Sequence, residues 1–261
     1  NALRGGDWDL EYNAGQMETA IAVSPDAQQT WQGLLDITTG LKGNWTFDAN
    51  ANDFSGNGYN GTLTSGAAID TTAGTNKIGA GKLSLDGVND YVDLSTYKAN
   101  FTSLAVGTIS AWIKTTNING TIFEASGPGF SPKYASLFVD DVGSLVFKVA
   151  QNSTVLRVGT TATVNDGAWH HVAVTISTSG NLLYLDGAVA AVSRSTGSAA
   201  TQAFLDTPSS VNKLTIGTTW DFFGQSYAFN GLIDDVRVYD RALSAADIAE
   251  LAPNRAPTLG N

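Results

Sequence analysis

Short apolar runs, each cut off by a turn rich in Gly, Asn or Asp, follow one another from Leu41 to Tyr239. In Thr108-Ile-Ser-Ala-Trp-Ile-Lys114, Ile109, Ala111 and Ile113 fall on one side and Ser110, Trp112 and Lys114 on the other, which is the two-residue period of a strand. Leu83 to Leu94 alternates around the turn-forming pairs Asp86-Gly87 and Asn89-Asp90. Leu137–Val139 and Leu145–Val149 flank Asp140-Asp-Val-Gly143, and Trp169–Ile176 and Leu182–Leu185 flank Ser177-Thr-Ser-Gly-Asn181. Both read as hairpins. Asp186-Gly187 turns into Ala188–Ser193, and Lys213–Gly217 and Leu232–Tyr239 are the last clear strands. Strands this short and this regularly punctuated build an all-β sandwich or barrel, in which two facing sheets bury their inward residues.

The ends of the chain read differently. Ser24-Pro25-Asp26 supplies an N-cap, a proline at the first helical position and an acidic first turn. Ala27 to Leu35 then carries a short helical pattern with Trp31, Leu34 and Leu35 on its apolar side. Ser244 with Asp247 three residues on marks the start of a second short helix, stopped by Pro253. The expected organisation is an N-terminal segment over 1–40, a tail of a preceding domain or a linker; one β domain over 41–251; and a C-terminal linker over 252–261. With 43% hydrophobic and 15% charged residues, the chain has material for one large core. Its net charge of −10 disfavours nucleic acid and anionic membranes as partners and favours divalent cations. Without cysteine it can form neither disulfides nor thiolate zinc sites. No apolar run reaches membrane-spanning length, so no membrane insertion is expected. The start at Asn1 without a signal peptide reads as a piece of a longer protein.

A series of segments, in order, carries a family likeness: Trp45-Thr-Phe-Asp48, Asp53-Phe-Ser-Gly-Asn-Gly-Tyr-Asn-Gly-Thr62, Leu83-Ser-Leu-Asp-Gly87 with Tyr91-Val-Asp93, Ile109-Ser-Ala-Trp112, Asp166-Gly-Ala-Trp-His-His-Val-Ala-Val174, Leu183-Tyr-Leu-Asp-Gly187, and Gly231-Leu-Ile-Asp-Asp-Val-Arg-Val-Tyr239 with Arg241-Ala-Leu-Ser244. Residues 41–251 resemble the laminin-G-like domains of the concanavalin A-like lectin/glucanase superfamily, in their bacterial branch. The resemblance implies an antiparallel jelly roll, to which the capping signals add short helices near both termini. Residues 7–35, with Asp7-Trp-Asp-Leu-Glu-Tyr12, look like the tail of a domain found in giant bacterial surface proteins, and Arg255-Ala-Pro257 resembles the start of a cadherin-like repeat. These two likenesses imply a large secreted adhesin, of the kind used in cell adhesion and biofilms, located outside the cell or on its surface.

Asp48-Ala-Asn-Ala-Asn-Asp53 followed by Ser55-Gly-Asn-Gly58 gathers oxygen donors and glycines, as a calcium ion with six to eight oxygen ligands requires. Asp48, Asp53 and Asn57 are the candidate ligands. The loop is not an EF-hand, because Asp53 stands where glycine and Tyr59 where glutamate should be. The resemblance implies that Asp234 or Asp235, near the end of the last strand, completes the site. The alternative is a calcium-free Asx-turn loop in which Asp53 bonds backbone amides. Related glucanases carry paired glutamates; Asp234-Asp235 lacks them, and neighbours on a strand point to opposite faces. His170-His171 cannot chelate one metal for the same reason, so no catalytic residue is assigned. Asn165-Asp-Gly-Ala-Trp169 is similar to a sialidase Asp-box but occurs once and is given no functional role.

Two loops could hold a sugar. Trp220-Asp-Phe-Phe-Gly-Gln-Ser-Tyr-Ala-Phe229 offers Trp220, Asp221, Gln225 and Tyr227, and Thr116–Tyr134 offers Asn119 and Tyr134. Sugars stack on aromatic faces while amides and carboxylates bond their hydroxyls. The competing reading makes these aromatics a satellite core over the sandwich edge. The expectation is therefore a non-catalytic, calcium-stabilised, monomeric module that binds a glycan or cell-surface glycoprotein. The alternatives are a structural spacer without its own ligand and a domain associated with a glycan hydrolase.

Overall fold

The computed structural model describes residues 37–128, 132–221 and 224–252; apart from Ile37, these belong to one compact unit that begins at Thr38. The expected helix over 27–35, Pro253 and the linker beyond Ala252 lie outside the described residues. In chain order the strands are β1 (Leu41–Trp45), β2 (Thr62–Thr64), β3 (Ala68–Asp70), β4 (Lys82–Asp86), β5 (Tyr91–Asp93), β6 (Gly107–Lys114), β7 (Gly120–Ser126), β8 (Lys133–Val139) and β9 (Ser144–Gln151). They continue as β10 (Thr154–Thr163), β11 (Trp169–Ser177), β12 (Gly180–Leu185), β13 (Ala188–Val189), β14 (Val192–Thr196), β15 (Lys213–Ile216), β16 (Thr219–Asp221), β17 (Gly224–Ser226) and β18 (Asn230–Tyr239). Among the described residues there are also two short α-helices, α1 (Lys98–Phe101) and α2 (Ala245–Leu251), and a 3-10 turn over Ser95–Tyr97.

The strands form two antiparallel sheets, as a sandwich requires. The first runs β13-β12-β11-β6-β18-β4-β3, with β1 also paired to β18; the second runs β14-β10-β9-β8-β7-β15-β5-β2. The alternation of β6 holds: Ile109, Ala111 and Ile113 enter the core. So do Val172, Val174 and Ile176 of β11, Leu137 and Val139 of β8, and Phe147 and Val149 of β9. Trp45, Phe47, Phe101, Phe123, Phe147, Phe204 and Phe229 are fully buried. At about 1.5–3 kcal/mol for each large side chain, such a core sustains the fold without sulfur bridges.

Both expected hairpins form, β8–β9 and β11–β12. Leu83–Leu94 does not pair with itself: β4 belongs to the first sheet and β5 to the second, so the turn at 87–90 carries the chain across the sandwich. The expected loop over Thr116–Tyr134 is a correction to the sequence reading, since β7 crosses it as a fully buried strand. The glycines, asparagines and prolines at its two ends mask a core sequence of only seven residues. The stretch after Lys213–Gly217 folds back as a separate hairpin, β16–β17. Ser244 and Asp247 form the reciprocal capping box read from the sequence: Asp247 N–H donates to the Ser244 hydroxyl, and Ser244 N–H to the Asp247 carboxylate.

Candidate functional site

Five neighbouring strands of the second sheet align one polar row. The register pairs Thr215 with Glu124, Glu124 with Ser136, Ser136 with Lys148, and Lys148 with Arg157. Directly opposed residues of antiparallel strands project from the same face. The core takes the opposite phase, through Ala125, Ala135, Leu137, Phe147, Val149, Leu156 and Val158. The row therefore lies on the outer face of the sheet. Tyr134 borders it in the next row on one side and Phe138 on the other. Glu124, Ser136, Lys148 and Arg157 of the row, with Tyr134, Phe138 and the loop residues Asn119, Asp141 and Tyr227, line a cavity of about 580 Å³.

The floor of this cavity is held by hydrogen bonds rather than by apolar packing. Glu124 is buried, and its carboxylate accepts from Thr219 Oγ1 at 2.7 Å and from the Trp220 N–H at 3.3 Å. Thr219 Oγ1 lies 2.8 Å from Thr121 Oγ1, which also lines the cavity. Burial pushes the Glu124 carboxyl up to about 7, against the pull of its hydroxyl donors. At the wall, Asp140 accepts from the Val142 and Ser144 amides through Oδ1 and from Arg157 Nη2 at 3.0 Å through Oδ2. Lys148 Nζ stands 5.3 Å from the centre of the Tyr134 ring.

The rim uses unusual backbone. Asn119 (φ +58°) and Tyr227 (φ +49°) both sit in the left-handed region, which a bulky residue such as tyrosine rarely adopts. Each is tied to a strand end. The Asn119 N–H donates to the Asp140 carbonyl at 3.2 Å, and the Tyr227 carbonyl accepts from the Thr121 N–H at 2.9 Å. Tyr227 is thereby held with 56% of its surface exposed.

The structure thus brings Asn119, Tyr134 and Tyr227 together at one cavity. Trp220 lies elsewhere: it packs edge-on against Tyr91 at 5.9 Å, with Lys213 Nζ 4.5 Å over its ring. That is the satellite-core arrangement. Gln225 faces Trp220 across the β16–β17 hairpin and is half-buried, and the Asp221 side chain lies outside the described residues. Sequence reading missed Glu124, Ser136, Asp140, Lys148 and Arg157. A signal existed in β7, β9 and β10, each of which carries one charged residue in its outward phase amid an apolar run.

The candidate calcium ligands fall into two groups. Asp53 accepts the Asn44 and Ser55 amides through Oδ1, and the Tyr59 amide and Ser55 hydroxyl through Oδ2. Asn57 Nδ2 donates to the Leu41 and Lys42 carbonyls. Both residues tie the Asp/Asn/Gly loop to β1 as a hydrogen-bonded turn. Asp48 and Asp234 instead hold the segment 77–81. Asp234 Oδ2 accepts the Lys77 and Ile78 amides at 3.2 and 3.0 Å, and Asp48 Oδ1 accepts the Ala80 and Gly81 amides. A Cβ on Gly81 would stand 2.5 Å from the Phe47 carbonyl, so glycine alone permits this close approach.

At Asp234-Asp235 the regular alternation of β18 fails. A bulge separates Asp234 from Arg237, Asp235 has φ +47°, and its Oδ1 pairs with Arg237 Nε at 3.0 Å. Here β18 exchanges β4 for β1 as its neighbour. Burial, with Asp235 nearby, pushes the Asp234 carboxyl up to about 7. Asp234 Oδ1, Asn44 Oδ1 and Thr46 Oγ1 are buried oxygens without a hydrogen-bond partner. Among the described residues no three His, Asp or Glu side chains gather as a ready cation cluster. The two histidines part as expected. His170 bridges Asp186 and Asp166, while His171 is buried edge-on against Trp112 at 5.2 Å, and that burial lowers its imidazole to about 4.

Comparison with known proteins adds the family. Residues 86–249 match a laminin G family model described as the concanavalin A-like lectin/glucanases superfamily. Residues 1–35 match a domain of unknown function (DUF4347). No curated protein sequence matches the chain. Domain 4 of a GH43 extracellular arabinanase from Geobacillus stearothermophilus, solved with arabinotriose, superposes with TM-score 0.60 at 20% identity, covering 82% of this chain and 98% of that one. The CBM40 domain of the Ruminococcus gnavus IT-sialidase, bound to α2,3 sialyllactose, gives TM-score 0.56 at 19% identity over 66% and 95% of the two chains. Botulinum neurotoxin type C, whose cell entry depends on two ganglioside molecules, gives 0.55 at 17% identity over 84% and 52%. At these identities the likeness concerns the fold.

Proposed function

Because the chain belongs to the concanavalin A-like lectin/glucanase superfamily, we propose that it is a non-catalytic glycan-binding module whose ligand lies along the outer face of the second sheet. The observation that carries this reading is the polar row from Glu124 to Arg157, which opens into a cavity flanked by Tyr134 and Tyr227. Sugars need this combination of aromatic surface with hydroxyl, amide and charged groups. The structural neighbours, which include carbohydrate-binding domains, support it. A hydrolytic role has little to work with: a glycosidase needs two carboxyl groups free to act across the scissile bond. Here Glu124 is held by Thr219 and Trp220, and Asp140 by Arg157 and its own turn. The spacer alternative would be favoured by a face without a cleft, and the cavity argues against it.

Calcium belongs to the same proposal. The unpartnered oxygens of Asn44, Thr46 and Asp234 are of the kinds, amide, hydroxyl and carboxylate, that a hard cation takes. Asp48 and Asp235 are its nearest acidic neighbours in the sequence. The ion would stabilise the junction of β1 and β18. The setting we propose is a large surface protein outside the cell. The binding test is calorimetric titration with a glycan panel. The expectation is saturable binding that Tyr134→Ala weakens at least tenfold, and a panel without any binder refutes the reading. For the ion, calcium at a hundred times its dissociation constant should stabilise the fold by about 2.7 kcal/mol. An unchanged melting temperature on adding EGTA refutes it.

A further inference from the structure

The outer row of the second sheet has an unbalanced charge at its centre. Lys148 and Arg157 stand directly opposite one another on β9 and β10, and like charges in that position repel. Arg157 is compensated by Asp140 through Nη2 alone, at 3.0 Å. Lys148 has the Tyr134 ring beside it, and among the described residues no carboxylate pairs with it. The remaining acids of the cavity do not correct this. Asp141 is exposed at the rim, and Glu124, two strands away, is buried under Thr219 and Trp220. A protein carrying a net charge of −10 thus turns a half-buried cation into this cavity.

We propose that the cavity selects acidic glycans, with the carboxylate of a uronic or sialic acid residue paired to Lys148 beside Arg157, and the sugar ring against Tyr134. This rests on the glycan-binding reading and narrows its ligand class. A sugar carboxylate removes the repulsion between the two cations and gains charge-assisted hydrogen bonds in a partly desolvated site. A neutral sugar leaves Lys148 without a carboxylate and opposite Arg157.

The experiment is isothermal titration of the full chain with two matched pairs. One is a glucuronate oligosaccharide and its carboxyl-reduced form; the other is a sialylated trisaccharide and its asialo disaccharide. The acidic member of at least one pair should bind tenfold or more tightly than its neutral partner, and the pair that responds identifies the kind of acid. Lys148→Met should abolish that preference without changing the melting temperature, Lys148→Arg should keep most of it, and added salt should erode it. Equal binding of acidic and neutral members overturns this inference while leaving the glycan reading in place. A preference unchanged in Lys148→Met also overturns it. No binding by any of the four sugars overturns this inference, and a wider glycan panel without any binder overturns the glycan reading as well.

Discussion

The outer faces of the two sheets make opposite use of buried polar groups. On the first sheet, Asp234 lies under the segment 77–81, both of whose amides at Lys77 and Ile78 it accepts, with Trp112 and His171 sealed alongside. On the second sheet, Ser136 and the half-buried Lys148 line a cavity whose floor holds Glu124 under Thr219 and Trp220. A polar group that is covered serves the fold, since leaving its partners unsatisfied would cost the full desolvation penalty. One that faces a cavity is left available to a ligand.

This contrast can be broken most sharply at Asp234. Asp234→Ala should destabilise the domain by about 3 kcal/mol, because two buried amides lose their acceptor. Urea denaturation would show it, and a wild-type midpoint would mean that the covered face is not sealed. Next comes Glu124. Its folded-state value of about 7 lies above the ordinary 4.5, so the folded state holds more protons between those limits. Its contribution is fully present below about pH 4.5 and is lost as pH rises through 7. Glu124→Gln should therefore remove a decline of roughly 3 kcal/mol between pH 4.5 and 8. Identical stability profiles for mutant and wild type would show that water reaches the floor freely. The smallest effect belongs to the rim. Tyr227→Gly should leave stability unchanged or raise it by up to about 1 kcal/mol, by relieving the left-handed backbone, while weakening glycan binding severalfold. A large loss of stability would make Tyr227 part of the fold rather than of the site.

Much of the architecture was legible in the sequence because its signals are local. The β11–β12 hairpin announces itself by alternation around Ser177–Asn181, and α2 by Ser244 with Asp247. Asn119, Tyr134 and Tyr227, picked out from residue type as candidates to face a sugar, line one cavity, although Tyr134 lies on β8 and not in a loop. Glu124, Lys148 and Arg157 were not, although each strand showed its own phase. Their convergence depends on the register among β7, β8, β9 and β10, and no single strand encodes that. The bulge at Asp235 escaped for a related reason: nothing in Ile233-Asp-Asp-Val-Arg signals that β18 changes neighbours there. Trp220 looked like a binding residue because its composition cannot show that Tyr91 and Lys213 already occupy its ring.

The placement of β18 has a consequence for how this domain comes into being. The last strand among the described residues is an interior member of the first sheet, flanked by β6 on one side and by β4 and β1 on the other. Until Tyr239 has been synthesised, that sheet stays split, and β6 and β4 present raw edges that invite association between nascent chains. Closure then joins segments nearly two hundred residues apart, Leu41 with Tyr239, and such long-range pairing is slow. Completion of that sheet therefore waits on Asn230–Tyr239, and a chain cut short before Asn230 would lack the strand that joins β6 to β4 and β1.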